Sequence, residues 1–145
     1  MQTVRFIQVN IYKGRYLDNL LDFLKGENPD FISMQEVTTN RFNLYRDKSA
    51  SLFDLIRAEL KMYGVFNGDL KLADDNSSVF GNAVLSKYKI VDSKVIVLKK
   101  FRPLTIEELD GESGAEIRPQ INRHLLDAKI DFNGKTWHIL SWHGA

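Results

Sequence analysis

The sequence predicts an α/β fold in which a mixed β-sheet is covered by helices, and two features indicate it. A strand, an amphipathic helix and a second strand follow one another between residues 3 and 37, an order that implies parallel strands joined by a right-handed crossover. Near the other end, Asn133-Gly134 separates two largely apolar runs. This dipeptide is the strongest two-residue signal for a β-hairpin, because both turn positions need a positive φ.

Three short patterns define the first unit. Residues 3–10 alternate well enough to be a strand with at least one buried face. Four leucines then repeat at the i, i+3, i+4, i+7 spacing of an amphipathic helix: Leu17, Leu20, Leu21 and Leu24. Gly26 is expected to be the left-handed residue that ends this helix, and Pro29 prevents its continuation. Residues 31–37 predict a buried strand that carries two polar residues at its end.

The middle of the chain predicts one more helix and two more strands. A stripe of apolar residues predicts a helix over 51–62. The polar, turn-rich stretch 67–78 is interpreted as a surface loop, and 102–120 as a second long loop. Residues 79–85 and 89–98 are typical of strands. The complete predicted order is therefore β-α-β-α-β-β-β-β.

The hairpin pattern also predicts a register. Its strands run from Arg123 to Phe132 and from Lys135 to Trp142. The two-residue turn places Phe132 opposite Lys135 and, by extension, His124 opposite His143. These histidines are either a cross-strand pair with satisfied hydrogen bonds or, given a third ligand, part of a metal site.

Composition excludes several classes of protein. The chain has 145 residues, enough for one domain, with 20 Lys+Arg against 19 Asp+Glu. This balance argues against binding nucleic acid by overall charge, although a local basic cleft is compatible with it. The absence of cysteine rules out disulfides, thiol catalysis and Cys-ligated zinc. No signal peptide and no membrane span are visible, so a soluble cytoplasmic protein is the expectation.

Polar residues at the ends of otherwise apolar strands predict where a ligand would bind. Asn10 closes the first strand, Gln35-Glu36 the second, and His143 the last. In α/β proteins, ligands bind outside the carboxyl ends of the strands. Carboxylate and amide oxygens suit Mg²⁺, and an imidazole can donate a hydrogen bond to a phosphate oxygen. The strand ends therefore predict a site for a divalent cation and a phosphate.

Each of these residues also has a plainer interpretation. Glu36 could be a solvated strand end, and Asn10 could bond its own backbone in a turn. Arg123 could be a strand arginine paired with a carboxylate, its stem packed on apolar surface. Gly81-Asn82 could mark only a bulge or the start of a strand.

Four segments, in their order and spacing, resemble the endonuclease/exonuclease/phosphatase superfamily: VRFIQVNIYKG, NPDFISMQEV, FGNAVLSKYKI and RHLLDAKIDFNGKTWHILSWHGA. That superfamily includes pancreatic-type deoxyribonucleases, apurinic endonucleases, inositol polyphosphate phosphatases, neutral sphingomyelinases and deadenylases. The resemblance covers essentially the whole chain. It implies that residues 1–145 are one domain, the N-terminal half of a four-layer α/β/β/α sandwich, incomplete at the C-terminus.

The resemblance also implies an activity, which is Mg²⁺-dependent hydrolysis of a phosphate ester, with Mn²⁺ as an alternative ion. Glu36 would be the metal ligand, and Asn10 and His143 would be catalytic through contacts to the metal or the scissile phosphate. Arg123 would contact the substrate phosphate. The family's second half supplies a Gly-Asp-x-Asn motif and a terminal Ser-Asp-His, and neither occurs in this sequence. The chain alone is therefore expected to be inactive.

The expected partners follow from the same resemblance. A phosphate-ester substrate, which includes nucleic acid, is the first. Self-association, or a second polypeptide that carries the missing half, is the second, because the hairpin would leave one apolar face open. That face carries Leu126, Ala128, Ile130, Phe132, Trp137 and Ile139. Two hypotheses compete with the enzyme: a non-catalytic α/β remnant that acts as a binding or self-association module, and an unrelated α/β domain.

Overall fold

The computed structural model of the chain describes residues 3–39, 51–74, 78–100, 102–103, 105 and 122–144. Strands and helices follow the predicted alternation, with one strand more than predicted. The elements are β1 (Phe6–Asn10), a 3-10 turn (Tyr12–Gly14), α1 (Leu17–Glu27), β2 (Phe31–Thr38), α2 (Leu52–Glu59), β3 (Tyr63–Lys71), β4 (Ser78–Ser86), β5 (Ile90–Lys99), β6 (Arg123–Phe132) and β7 (Lys135–Trp142).

The strands form two sheets. The first has four strands in the order β1-β2-β4-β3, and the second has three in the order β5-β6-β7. β1 and β2 are parallel, as the strand–helix–strand pattern predicts, and the remaining pairs of the first sheet are antiparallel. The second sheet is antiparallel throughout. The predicted mixed α/β class is thus confirmed.

The two helices cover one face of the four-stranded sheet. Leu17 and Leu24 of α1 and Ile56 of α2 are buried in one cluster with Ile32 and Leu85 of the sheet. Leu20 of the predicted stripe is only partly buried. Because each helix has a single apolar stripe, each packs with that stripe against the sheet and leaves its polar side to solvent.

The three-stranded sheet covers the other face. Phe31 and Val84 of the first sheet share a buried cluster with residues of β6 and β7, namely Leu126, Ala128, Ile130, Phe132 and Ile139. The expectation that this hairpin face lies open is therefore wrong, because the chain itself supplies the sheet that covers it. Trp137 stays 38% exposed at the margin, with its ring stacked 6.2 Å from that of Phe31. The described residues form three layers, α/β/β, of the predicted sandwich.

The predicted loop over 67–78 is largely strand. β3 continues to Lys71, and Asp69, Leu70 and Leu72 are all buried. The leucines alternate with polar residues at the period of a strand, and this signal outweighs the polar composition of the segment. Residues 75–77 of that predicted loop, and most of the predicted loop 102–120, lie outside the described residues.

Both helices end differently from the prediction. Gly26 is inside α1, and Asn28 takes the left-handed position instead, with φ 45° and its N–H bonded to the Leu24 carbonyl. Asparagine tolerates this conformation better than most residues, so it can end a helix in place of glycine. α2 ends at Glu59 rather than at residue 62, and Lys61 has a φ of 53°.

The hairpin has the predicted turn and register. Asn133 and Gly134 both have positive φ, and Phe132 pairs with Lys135. The last paired residues of this ladder are Leu125 and Trp142. The predicted pair of His124 and His143 is one position further on and is not part of the ladder. No helix among the residues that the structure describes is long and apolar enough to cross a membrane.

Candidate active site

Asn10 and Glu36 meet at the carboxyl ends of the two parallel strands. Asn10 pairs with Gln35 at the last position of the β1–β2 ladder. Its side-chain Nδ2 donates a hydrogen bond of 3.1 Å to Glu36 Oε1, and its Oδ1 accepts one of 2.9 Å from the Tyr12 backbone N–H. Both the nitrogen and the oxygen of the Asn10 amide therefore form hydrogen bonds, and Asn10 orients the Glu36 carboxylate.

A bulge in β2 turns Glu36 toward the edge of the sheet at which Asn10 lies. We call this edge, with Asn10, Glu36 and His143, the rim. The register between β2 and β4 shifts between Met34 and Val37, and Glu36 has a φ of 57°. A non-glycine residue in this region is strained, and bulges re-aim side chains at functional sites. Glu36 Oε2 is buried and accepts no hydrogen bond from the residues that the structure describes. A buried carboxylate oxygen without a donor is unfavourable, which makes this atom a candidate contact for a ligand.

His143 lies on the same rim, just beyond β7. Its Nε2 is 3.8 Å from Glu36 Oε1, and its ring centroid is 6.3 Å from that of Phe80. Burial lowers the pKa of His143; the nearby charges of Arg123 and Lys13 lower it further, and only the Glu36 carboxylate raises it. A neutral imidazole with one N–H donor is thus the favoured form.

A buried hydrogen-bond network holds the end of β7 over β2. Gln35 Nε2 donates to Ser33 Oγ at 3.1 Å and to Ser141 Oγ at 3.2 Å, and Ser141 Oγ donates to the Met34 carbonyl at 3.0 Å. These three polar side chains are almost completely buried. Since His143 follows Ser141 by two residues, this network fixes its position relative to Glu36.

Arg123 begins β6 and is partly buried. Its positive charge lowers the pKa of both His143 and Asp69, so its guanidinium group lies within electrostatic range of each. The structure thus joins Asn10, Glu36 and His143 directly and adds the charge of Arg123. Their catalytic roles remain predictions.

A second polar cluster next to this rim was not predicted from the sequence. His124 Nδ1 is 2.7 Å from Asp69 Oδ1, and Asn82 Nδ2 donates to Asp69 Oδ2 at 2.9 Å. Asn82 Nδ2 also lies 3.4 Å from the His124 carbonyl. Asp69 and Asn82 are buried, so the cluster ties β3 and β4 of one sheet to β6 of the other. The strand-like alternation of Leu70 and Leu72 was the available signal that Asp69 is not in a loop.

Asp69 should make the stability of the fold depend on pH. Burial raises its pKa to about 6, although the His124 hydrogen bond and the Arg123 charge oppose this. The folded state then binds this proton more tightly than the unfolded chain, so the stabilisation is complete below about pH 4 and is lost as pH rises through 6. Relative to Asp69→Asn, which has no proton to lose, the wild-type free energy of unfolding should fall by about 2–3 kcal/mol between about pH 4 and pH 7.

Urea denaturation of wild type and Asp69→Asn at a series of pH values measures this difference. A constant offset caused by the altered hydrogen bond is compatible with the prediction. Two profiles that stay parallel from pH 4 to pH 7 would contradict it.

Two sheets packed face to face, with helices outside one of them, define the fold class as an α/β sandwich. Asn10, Glu36 and His143 lie together at the strand ends of this sandwich. The model of the Endonuclease/Exonuclease/phosphatase family matches residues 7–129, and the chain belongs to this family. A search of curated proteins found no match.

Solved structures share the fold. An endonuclease/exonuclease/phosphatase family protein from Leptotrichia buccalis superposes with a TM-score of 0.66 and 16% identity, over 97% of this chain and 55% of that chain. Humanized D. rerio TDP2 gives a TM-score of 0.59 and 14% identity, over 97% and 46%. ANGEL2, a 2′,3′-cyclic phosphatase in complex with adenosine-2′,3′-vanadate, gives 0.53 and 13%, over 89% and 31%. The chain thus spans about half the length of the first two proteins.

Proposed function

We propose that the complete domain to which this chain belongs hydrolyses a phosphate ester with the help of Mg²⁺, and that Glu36 is a metal ligand. The observation that carries the proposal is the Glu36 carboxylate, with Oε1 oriented by Asn10 and Oε2 buried without a donor among the described residues. Membership of a family of nucleases and phosphatases supports the reaction class.

The residues at the rim fit Mg²⁺ better than a metal that needs many protein ligands. In the part of the chain that the structure describes, no group of three or more His, Cys, Asp or Glu could hold a metal ion. Mg²⁺ usually takes one or two carboxylates and completes its shell with water and substrate phosphates. Glu36 would hold the ion, and Asn10 would keep the carboxylate aligned. Mn²⁺ accepts the same oxygen ligands. When bound, the ion would neutralise charge on the phosphoryl oxygens.

His143 and Arg123 would bind and orient the phosphate. A neutral His143 can donate a hydrogen bond to a non-bridging phosphate oxygen. Because it carries no charge, it would not compete with the metal ion for the Glu36 carboxylate. Arg123 presents a planar guanidinium group, which can contact two phosphate oxygens at once. None of these groups is placed as the general base. That role, and the remaining metal contacts, would come from the Gly-Asp-x-Asn and Ser-Asp-His motifs that this sequence lacks.

The chain by itself should therefore show no Mg²⁺-dependent hydrolysis above the rate in buffer. The measurement is turnover of bis(p-nitrophenyl) phosphate and of a short oligonucleotide, in Mg²⁺ and in EDTA. It is made on the 145-residue chain and on any longer form of the protein that contains it. The longer form should be active only with the metal. Robust Mg²⁺-dependent turnover by the chain alone would show that the missing motifs are dispensable.

One observation favours the alternative, a non-catalytic binding or self-association module. The outer face of the three-stranded sheet carries one cross-strand apolar row, formed by Ile96, Leu125 and Trp142, and Leu140 lies on the same face two residues before Trp142. Ile96 is 37%, Leu140 48% and Trp142 53% exposed. Contiguous apolar surface of this kind commonly marks a contact site. Sedimentation of the chain at micromolar concentration, set beside the hydrolysis assay, separates the two functions.

A further inference from the structure

The segment that follows β1 carries aromatic and cationic side chains beside the rim. It comprises Tyr12, Lys13, Gly14, Arg15 and Tyr16, and we call it the aromatic loop. Its first backbone N–H bonds Asn10 Oδ1 at 2.9 Å, so the loop starts at the residue that orients Glu36. The loop therefore borders the proposed phosphate site on the side of β1.

Two tyrosines of this loop point into solvent and share one arginine. Tyr12 is 46% and Tyr16 63% exposed. The Arg15 guanidinium carbon lies 5.7 Å from the Tyr12 ring centroid and 5.5 Å from that of Tyr16. Lys13 Nζ lies 5.8 Å from the Phe80 ring centroid, and Phe80 in turn contacts His143. Arginine–tyrosine contacts are common on protein surfaces, but this group is continuous with the candidate active site.

The backbone of the loop is held in an unusual conformation. Tyr12 and Lys13 have φ values of 48° and 55°, which are unfavourable for residues with side chains. Gly14 follows with φ 80°, and a Cβ there would lie 2.6 Å from Leu52 Cδ1. The loop is therefore pressed onto the helix layer and closed by the Gly14 N–H to Ile11 carbonyl bond of 3.0 Å. Strain that persists beside a functional site is a reason to look for a ligand.

We propose that Tyr12, Arg15 and Tyr16 form a stacking subsite for an unpaired nucleobase, next to the phosphate that Glu36 and His143 would hold. Exposed tyrosine rings bind bases of any sequence by stacking, and a neighbouring arginine binds the flanking phosphate. The net charge of the chain is only +1, so the cations of this loop are a local feature rather than part of a general basic surface. This inference rests on the proposed function and names its substrate class as a single-stranded nucleic acid.

The same side chains fit other phosphate esters less well. A sugar phosphate or an inositol phosphate has no planar aromatic ring, so the two exposed tyrosine rings would have no base to stack on. A membrane surface is bound by aromatic residues together with an apolar face that enters the lipid. Leu17, which directly follows this loop, and Leu52, which packs against Gly14, are both buried and are not available for that contact.

The test is binding of a fluorescein-labelled twelve-nucleotide oligothymidine to the 145-residue chain, measured by anisotropy in EDTA so that hydrolysis plays no part. Tyr16→Ala should raise Kd about tenfold, and Tyr16→Trp should restore it, since stacking needs an aromatic face. Arg15→Ala should weaken binding and reduce the slope of log K against log salt by about 0.7.

Matched controls exist in the same chain. Tyr63 is 52% exposed at the end of β3 that pairs with Ser86, which is the opposite end of the sheet from Glu36. Arg57 on α2 lies 5.8 Å from the Phe53 ring centroid. Tyr63→Ala and Arg57→Ala therefore remove an exposed tyrosine and a stacked arginine away from the rim. Both should leave Kd within about twofold of wild type.

An abasic oligonucleotide of the same length tests the stacking itself, because it keeps the phosphates and lacks the bases. Wild type should bind it about as weakly as Tyr16→Ala binds oligothymidine, and Tyr16→Ala should cause no further loss. The inference is overturned if wild type does not bind oligothymidine, if Tyr16→Ala and Tyr63→Ala have equal effects, or if the Tyr16 effect persists on the abasic probe. It is equally overturned if Tyr16→Ala abolishes binding to phosphatidylcholine–phosphatidylserine vesicles while oligonucleotide binding is unchanged.

The two experiments distinguish failure of the proposed stacking subsite from failure of the proposed hydrolytic activity. If Tyr16→Ala loses oligonucleotide binding but no form of the protein hydrolyses a phosphate ester with Mg²⁺, the subsite stands and the proposed activity is wrong. If hydrolysis depends on Mg²⁺ and the aromatic loop has no effect on nucleic-acid binding, the activity stands and the substrate class is wrong.

Discussion

Replacement of Glu36 by glutamine should reduce Mg²⁺-dependent hydrolysis by the complete domain on the order of 10³-fold in kcat/KM, since the metal's stabilisation of charge is worth several kcal/mol. Glutamine has nearly the same shape and can still bond Asn10, so the fold should be kept. It lacks the negative charge that a hard divalent cation requires. The loss should therefore appear both in kcat/KM and in the affinity for Mg²⁺.

Titration calorimetry with Mg²⁺ on the chain itself provides a readout that does not depend on turnover. Glu59→Gln is the matched control, because Glu59 lies on the outer surface of the helix layer, paired with Lys25 at 2.7 Å. That variant should behave as wild type in both measurements. A Glu36→Gln enzyme that keeps its activity within tenfold would remove Glu36 from the metal site.

Gly81→Ala should lower the free energy of unfolding by about 3 kcal/mol, because the added carbon meets backbone atoms that no side-chain rotation can move. An alanine Cβ at this position would lie 1.9 Å from the Asn67 carbonyl oxygen and 2.7 Å from Gly68 Cα. β3 and β4 would have to separate. Gly81 also pairs with Val37 immediately after the bulge that carries Glu36, so the rim would be distorted as well.

Gly26→Ala is the control for this substitution. Gly26 lies inside α1, and a Cβ there has no atom within 4 Å. Alanine should therefore stabilise the helix by about 0.5–1 kcal/mol. Urea denaturation of the two variants should give changes of opposite sign. Equal effects at both positions would mean that the close approach of β3 and β4 is not what requires glycine at Gly81.

Local patterns predicted most of the elements and the main rim residues. Leucine spacing placed α1, the Asn133-Gly134 turn placed β6 and β7 with their register, and polar strand ends placed Asn10 and Glu36 together. Each of these signals is carried by residues that are near one another in the chain or at the ends of neighbouring strands. Backbone geometry and the periodicity of the side chains determine these features, and both can be seen in the sequence.

Those local patterns could not predict the tertiary contacts. Nothing local indicates that Asp69 meets His124, because His124 comes from the other sheet, or that Asn82 joins them from the neighbouring strand β4. The bulge at Glu36 was not predicted either, since it exists only relative to β4. The open face of the hairpin was inferred wrongly for a related reason. An apolar pattern shows that a face is buried, and it does not show which part of the chain buries it.

The bonds from Ser141 to β2 have a consequence for synthesis of the protein. Ser141 is separated from Gln35 by 106 positions and from Met34 by 107. Contacts of such long sequence separation form late, because the intervening chain must first be brought together. Domains fold as their residues leave the ribosome, at about 5–20 residues per second. Until β7 has emerged, Gln35 has no partner on the second sheet, and the nascent chain exposes an uncovered apolar strand. A chaperone that binds such strands would find its target in this protein until β7 has been translated.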